Sequence, residues 1–246
     1  MTKEKLYSTL VDELKKMVTE NGLETSEIRI ISSGLTPEEA IGITKRKDYP
    51  ILDGKEIMLQ AEFDGAIGQA FTSSPASYVG TLDEILNADL ENDDQARALF
   101  IAAMNAVMKK LGRCEHTIHC KNDGPERCAV KYAEYIAQEY GSPKIGVVGY
   151  QPALLSELCK HFTVRALDLN PANVGKERFG ITIEHGIDDM DSVKEWADII
   201  LCTGSTLANA SIVDYMELDK EVIFFGTTAA GAGAVLGLHR ECFEGM

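Results

Sequence analysis

Basic residues are scarce in this chain of 246 residues: 24 Lys and Arg stand against 39 Asp and Glu, a formal net charge of −15. Its densest cationic run is only Lys45-Arg46-Lys47. A phosphate backbone or an anionic lipid surface is gripped by clustered cations, so nucleic acid and membrane are excluded as main partners. The acidity is shared by both halves of the chain, which makes it a uniformly acidic globule and not a core with a charged tail. Long apolar runs are also missing. No stretch approaches the ~18 apolar residues of a membrane span, and Met1-Thr2-Lys3-Glu4-Lys5-Leu6 has no apolar signal core. The six cysteines contain no CxxC pair, and with no signal segment they read as reduced thiols in a cytoplasm. No internal repeat and no low-complexity segment is present.

What is present is enough apolar residue, 45%, to bury a core. Leu6, Leu10, Leu14, Met17 and Val18 recur at helical spacing and predict a helix over 3–20, closed by Asn21-Gly22. Short β-like runs follow at Ile28–Ser32, Ala40–Thr44 and Glu56–Ala61. A further run, Ala66–Phe71, comes after an Asp64-Gly65 turn signal and predicts a hairpin. Thr81-Leu82-Asp83-Glu84 has the form of a helix cap, Asp93–Leu111 is a strong helix pattern, and Pro125 suits the first turn of a helix reaching Tyr140. Residues 1–140 are therefore expected to form an α+β domain.

Gly141-Ser142-Pro143 punctuates the chain, and the pattern changes. Lys144–Tyr150, Thr163–Leu169, Ile181–His185, Asp198–Thr203 and Glu221–Gly226 are Val- and Ile-dense runs separated by helix-compatible stretches. That alternation predicts a Rossmann-like parallel sheet wound with helices over 141–246. The fold class is thus α/β, with an α+β domain preceding the parallel one.

Ligands of open parallel sheets bind beyond the carboxyl ends of the strands, so the residues after each run are the informative ones. The first run ends in Gly149-Tyr150-Gln151-Pro152, which lacks the GxGxxG of a dinucleotide site and argues against NAD or FAD. The second contains Asp168, nineteen positions after Gly149, placed either to accept from ribose hydroxyls or to cap a helix. The fourth runs into Thr203-Gly204-Ser205-Thr206-Leu207-Ala208-Asn209. At the helix N-terminus expected there, the free N–H groups and the hydroxyls would hold an anion without any lysine; the alternative is that Ser205 or Thr206 only caps that helix. The fifth ends in Gly226-Thr227-Thr228, where small residues allow a backbone to approach a ligand closely.

The segment 114–128 gathers Cys114, His116, His119, Cys120 and Cys128. Thiolate and imidazole are ligands of transition metals, which makes a metal ion the candidate cofactor here. The spacing lacks paired CxxC or HxxxH elements, so a loop with buried thiols remains the alternative. A third reading is catalytic, with His119, Asp123 or Cys120 acting at a domain cleft.

On Thr117-Ile118-His119-Cys120, Pro125-Glu126-Arg127-Cys128-Ala129, Lys144–Tyr150, Thr203–Asn209 and Gly226-Thr227-Thr228, the chain resembles the family called the putative heavy-metal chelation domain, a former domain-of-unknown-function family. The resemblance implies an enolase-N-terminal-like domain followed by a Rossmann-like one, with a site between them, and roles around metal chelators, pterins, flavins or siderophores. The chain departs from the family pattern in having Gly226-Thr227 where Gly-Pro is usual, and in stopping at Met246 where members run on past the last helix.

Three functions follow in order. The first is an enzyme or binder of a small anionic or nucleoside-like molecule, with Gly149, Tyr150, Asp168, Thr203, Gly204, Ser205, Thr206, Asn209, Gly226 and Thr227 around the ligand. The second is a non-catalytic metal-binding protein. The third is a methyltransferase using S-adenosylmethionine; a nucleotide cofactor ranks with it. A homodimer is the expected assembly, from the Ala and Gly near the carboxyl terminus.

Overall fold

The computed structural model describes residues 1–31, 36–53 and 56–246. Helix α1 (Lys3–Glu20) starts at Thr2, whose side chain accepts from the Lys5 N–H, and it buries Leu6, Leu10, Leu14 and Val18. Strand β1 (Glu27–Ile31) follows; Ser32, the last residue of the run expected there, lies outside the described residues. The run Ala40–Thr44, expected as a strand, is not one. Thr36 and Glu39 form a reciprocal capping box that starts α2 (Pro37–Ile41), and the local cap outweighs the β-like composition.

Strands β2 (Ile57–Phe63) and β3 (Ala66–Thr72) form the expected hairpin, with both Asp64 and Gly65 at positive φ. Strand β4 (Tyr78–Thr81) runs into α3 (Leu82–Leu86) through a second capping box, Thr81 and Glu84. Together β1–β4 make an antiparallel sheet in the order β3-β2-β1-β4. Helix α4 (Asp94–Lys110), capped by Asp93, lies against β2 and β3. The approach is close enough that a Cβ on Gly68 would fall 2.2 Å from the Ala106 nitrogen, so only glycine fits there.

After α5 (Gly124–Tyr140) the chain builds the second sheet from β5 (Lys144–Val148), α6 (Pro152–His161), β6 (Thr163–Asp168), β7 (Glu177–Arg178), β8 (Ile181–His185), α7 (Met190–Trp196), β9 (Ile199–Thr203), β10 (Glu221–Phe225), α8 (Ala230–Leu236) and β11 (Arg240–Glu241). Its order is β11-β10-β9-β5-β6-β8-β7, parallel throughout except for β7 against β8. Counted from β5, the six parallel strands stand in the order 3-2-1-4-5-6 of a doubly wound sheet, with the switch point between β5 and β9. The sheet ends in a short strand, β11, that follows α8 and pairs parallel to β10.

Alternation along the strands serves both faces. Ile145 and Val147 of β5 pack with Tyr132 and Ile136 of α5 and Leu155 and Leu158 of α6. Val148, with Leu167, Ile200 and Cys202, packs with α1 and with Phe100, Met104 and Met108 of α4. Each core draws residues from both sides of Gly141, so the two halves of the chain share their cores. At about 1.5–3 kcal/mol per fully buried Leu, Ile or Phe, this shared burial holds the two sheets in one arrangement.

Candidate ligand site at the carboxyl edge of the parallel sheet

A cavity of about 70 Å³ lies at the carboxyl ends of β5, β9 and β10, at the switch point. Its floor is made by Gln151, Ala153 and Leu154 after β5, Thr203–Ser205 after β9, and Gly226–Thr228 after β10. The residues before α5 and its first turns supply His119, Cys120, Pro125 and Cys128, and β3 supplies Phe71. Cys242, just after β11, completes the wall. Sequence reasoning named Thr203, Gly204, Ser205, Gly226, Thr227, His119, Cys120 and Cys128, and all eight border this space.

Other candidates lie elsewhere, each for a local reason. Thr206 is buried and donates its hydroxyl to the Thr203 carbonyl at 2.6 Å, so it braces the turn from behind. Asn209 is exposed and accepts from Ser211, N–H and hydroxyl alike. No helix follows β9. Gly204–Leu207 is a single 3₁₀ turn, too short to concentrate a helix dipole, and the anion site expected on a helix at 203–209 is corrected accordingly. Gly149 has φ +94°, and a Cβ there would meet Thr203 at 2.7 Å; its smallness serves strand packing, not ligand approach. Tyr150 is buried outside the cavity. Asp168 accepts from the Tyr150 N–H (2.8 Å), the Asn170 N–H (2.8 Å) and Asn173 Nδ2 (3.2 Å). Three protein donors occupy the carboxylate, leaving it a loop organiser and little free to hold a ribose diol.

Asp123 is exposed and paired with Arg127, which keeps its carboxyl below the usual range, and it does not border the cavity. Cys114 turns back into the core, its thiol 3.9 Å from the Asn105 carbonyl, and burial raises its pKa to about 11. His116 is exposed at φ +57°, with Nδ1 2.6 Å from the Gly245 carbonyl. The five residues proposed as metal ligands are thus split between a core, an outer turn and the cavity. Among the described residues no three His, Cys, Asp or Glu side chains form a group that could hold a metal ion.

His119 is the most informative side chain of the site. Its Nδ1 lies 2.6 Å from the Cys120 carbonyl, and a carbonyl can only accept, so Nδ1 carries the proton and Nε2 is left as an acceptor. Burial lowers the pKa of the ring, which is neutral at pH 7. Phe71 packs edge-on against it, the ring centroids 5.4 Å apart. The thiols are neutral as well. Burial pushes Cys120 far above the usual thiol range, Cys128 up to about 11, and Cys242 upward. Backbone N–H groups of Phe243 and Glu244 point at the Cys128 sulfur, and those of Gly245 and Glu244 at Cys242, partly opposing the effect of burial. Cys120 as it stands is a protonated thiol and a weak nucleophile.

Buried polar residues of the first half, absent from the sequence-based candidates, hold the segments around the cavity. Asn105, fully buried in α4, donates through Nδ2 to the carbonyls of Gln69 (2.9 Å), Thr227 (3.1 Å) and Thr228 (3.2 Å), while its Oδ1 accepts from the Gly231 N–H at 2.7 Å. Gln69 accepts from the His119 N–H at 2.8 Å through Oε1. Behind the 203–208 turn, the Tyr7 hydroxyl donates to the Leu207 carbonyl at 2.6 Å, and buried Arg97 donates to that of Ala208 at 3.0 Å. The one sequence signal for this network is a lone Asn within the apolar run Phe100–Met108. Thr227 is left over: 1% exposed, at the cavity, its hydroxyl has no hydrogen-bond partner.

The fold and cavity define a class: a mixed α/β protein, one antiparallel and one mostly parallel sheet, with a ligand-type cavity at a strand-order switch. Residues 132–239 match the model of the DUF364 family, described as putative heavy-metal chelation, so the family resemblance stands over this stretch. A crystal structure of a protein of unknown function from that family, from Pyrococcus horikoshii, aligns at a TM-score of 0.53 with 19% identity over 89% of this chain and 80% of that one. A second, from Desulfitobacterium hafniense DCB-2, aligns at 0.55 with 13% identity over 95% and 82%. At such identities the likeness is one of fold. No curated protein matches the chain. No helix among the described residues is long and apolar enough to cross a membrane.

The family description raises the question of a metal. Thiol and imidazole donors of the right chemistry do border the cavity, but among the described residues no three donors form a group that could hold an ion. The residues as arranged do not fit a resident metal ion, and no chemistry is routed through one.

Proposed function

We propose that the protein binds a small molecule in the cavity between the two sheets and moves a proton on it through His119. The observation that carries this reading is the neutral His119 ring, its Nδ1–H committed to the Cys120 carbonyl, on a cavity that Ser205 also borders. An imidazole fixed in one tautomer is a ready proton acceptor, and a serine hydroxyl can orient a substrate by donating to it. Asp168 and Asp123 take no part. A role on a metal-chelating or related metabolite accords with the family description. The test is a thermal-shift screen of metabolite-sized compounds on the wild type, Ser205→Ala and His119→Gln. A true ligand loses affinity with Ser205→Ala, and turnover of it is abolished in His119→Gln. A screen in which every ligand of the wild type binds both variants equally would sink the reading.

One observation favours a second reading, a metal-complex binder without catalysis: Cys120, Cys128 and Cys242 border the same cavity. In that case a soft metal enters already complexed, and the thiols lose protons on contact. Elemental analysis after anaerobic loading decides, with retention of metal expected to fall in Cys128→Ser.

A further inference from the structure

Three side chains on the cavity wall keep hydrogen-bonding capacity that the fold does not use. Ser205 Oγ accepts from the Thr203 hydroxyl at 3.3 Å, so its own O–H is left to donate. His119 Nδ1 is committed to the Cys120 carbonyl, so Nε2 is left to accept. Gln151 makes no side-chain capping bond, and among the described residues its amide, a donor and an acceptor together, has no other partner. The described side-chain atoms that are both sealed and unpartnered are Arg46 Nε, Glu126 Oε2, Tyr150 Oη and Thr227 Oγ1. His119 Nε2 and the Gln151 amide are not among them, so both keep accessible surface.

Charge is what the wall lacks. Among the described residues no Lys or Arg borders the cavity. His119 is neutral through burial, and burial keeps Cys120, Cys128 and Cys242 protonated. The one carboxylate, Glu241, has Oε1 3.4 Å from His239 Nε2. An anion entering here would lose its water without gaining a counter-charge, and the net charge of −15 repels it at long range as well. A cation would find only a carboxylate that already faces His239.

We infer that the ligand of this cavity is an uncharged amide, which offers its carbonyl oxygen to the Ser205 hydroxyl and its N–H to His119 Nε2. This rests on the ligand-binding reading above and adds the chemical class of the ligand and the way it is held. A carbonyl alone would leave Nε2 unmet. A hydroxyl could serve Ser205 and His119, but an amide also matches the Gln151 amide, donor to acceptor and acceptor to donor. The rest of the ligand is apolar and short. Phe71, Leu154, Tyr132 and Phe225 line the space, and about 70 Å³ is room for roughly five water molecules, so one small molecule fills it. Held in this way, the amide proton is the one that faces the base.

The experiment is a titration of the ¹⁵N-labelled full-length chain with five probes of similar size: propionamide, 2-butanone, 1-propanol, propionate and propylammonium. The backbone amides of His119, Gln151, Gly204 and Ser205 are the readout. Propionamide is expected to shift them saturably and to bind tighter than each of the other four. Ser205→Ala should weaken propionamide and 2-butanone alike, about three- to tenfold, as loss of one neutral hydrogen bond does. His119→Leu should weaken propionamide by a similar factor and leave 2-butanone unchanged, because only the amide donates to Nε2. A general distortion of the cavity would weaken both probes, and the variants' spectra report whether each is folded. Propionate or propylammonium binding as tightly as propionamide, 2-butanone or 1-propanol matching it, or His119→Leu weakening propionamide and 2-butanone equally would each overturn the amide. So would the absence of any saturable shift with propionamide. In every such case the ligand-binding reading stands if the thermal-shift screen still returns a ligand that Ser205→Ala weakens, and falls with the amide if it does not.

Discussion

Asn105 Nδ2 reaches from α4 to the Thr227 carbonyl at 3.1 Å, joining the helix that packs on the antiparallel sheet to the loop that ends a strand of the parallel one. With its Oδ1 on the Gly231 N–H, this single amide satisfies both sides of the 227–231 turn. The 227–231 side of the cavity is thus held in place from the first half of the chain.

Replacing Asn105 with Ala leaves buried carbonyls at Gln69, Thr227 and Thr228 and the Gly231 N–H without this partner. A loss of about 2–4 kcal/mol in unfolding free energy is expected, measured by urea denaturation. Asn105→Asp preserves the shape and the acceptor but removes the donor, and should destabilise at neutral pH as much or more.

Thr206 and Ser205 should separate cleanly. Thr206→Val removes the hydroxyl that donates to the Thr203 carbonyl and should cost stability, about 1 kcal/mol, with little change in ligand affinity. Ser205→Ala should do the reverse, since Ser205 borders the cavity. Paired denaturation and binding measurements on the two variants check this.

Glu56, at the foot of β2, is raised to about pKa 7 by burial and by the charge of Asp168. The folded protein holds a proton here that the unfolded chain, with an ordinary pKa near 4.5, releases. Stability therefore falls as pH rises between about 4.5 and 7 on account of this group. Glu56→Gln should be more stable than the wild type at pH 8, and the two should converge below pH 4.5. Denaturation midpoints across that range are the measurement, and parallel curves would refute the coupling.

His119 should take up its proton at a lower pH than an ordinary imidazole, because burial lowers its pKa. Imidazole ¹⁵N shifts are expected to show the Nδ1–H tautomer, as its bond to the Cys120 carbonyl requires.

Thiol reactivity gives the last expectation. Burial holds all six thiols above their usual range, so Ellman's reagent at pH 7.5 should label the native protein slowly. Six equivalents per chain should react at once in denaturant.

Local chemistry was legible. Helix α1 came from its apolar spacing, α3 from its cap, α4 from its Ala-, Met- and Leu-rich pattern, the β2–β3 hairpin from Asp64-Gly65, and the parallel strands from Val- and Ile-dense runs. The same local rules misread Ala40–Thr44, where the Thr36–Glu39 cap won over β-like composition. At the site, residue type narrowed the candidates but could not sort them. Ser205 borders the cavity and Thr206, its neighbour, braces the turn, because in a 3₁₀ turn adjacent side chains point in different directions.

The sequence by itself determined an acidic α/β chain with no lysine-rich surface, the strands of its parallel sheet, and small hydroxyl residues after two of them. Those properties depend on composition and on periods of two and 3.6 residues, which neighbours along the chain define. Only the tertiary structure decided that His119, Ser205 and Thr227 share one cavity, that Asp168 is consumed by its own loop, and that Asn105 and Gln69 hold the wall. Such facts depend on which buried donor meets which acceptor across more than a hundred residues of chain, as Asn105 meets Thr227, and no local pattern records that distance.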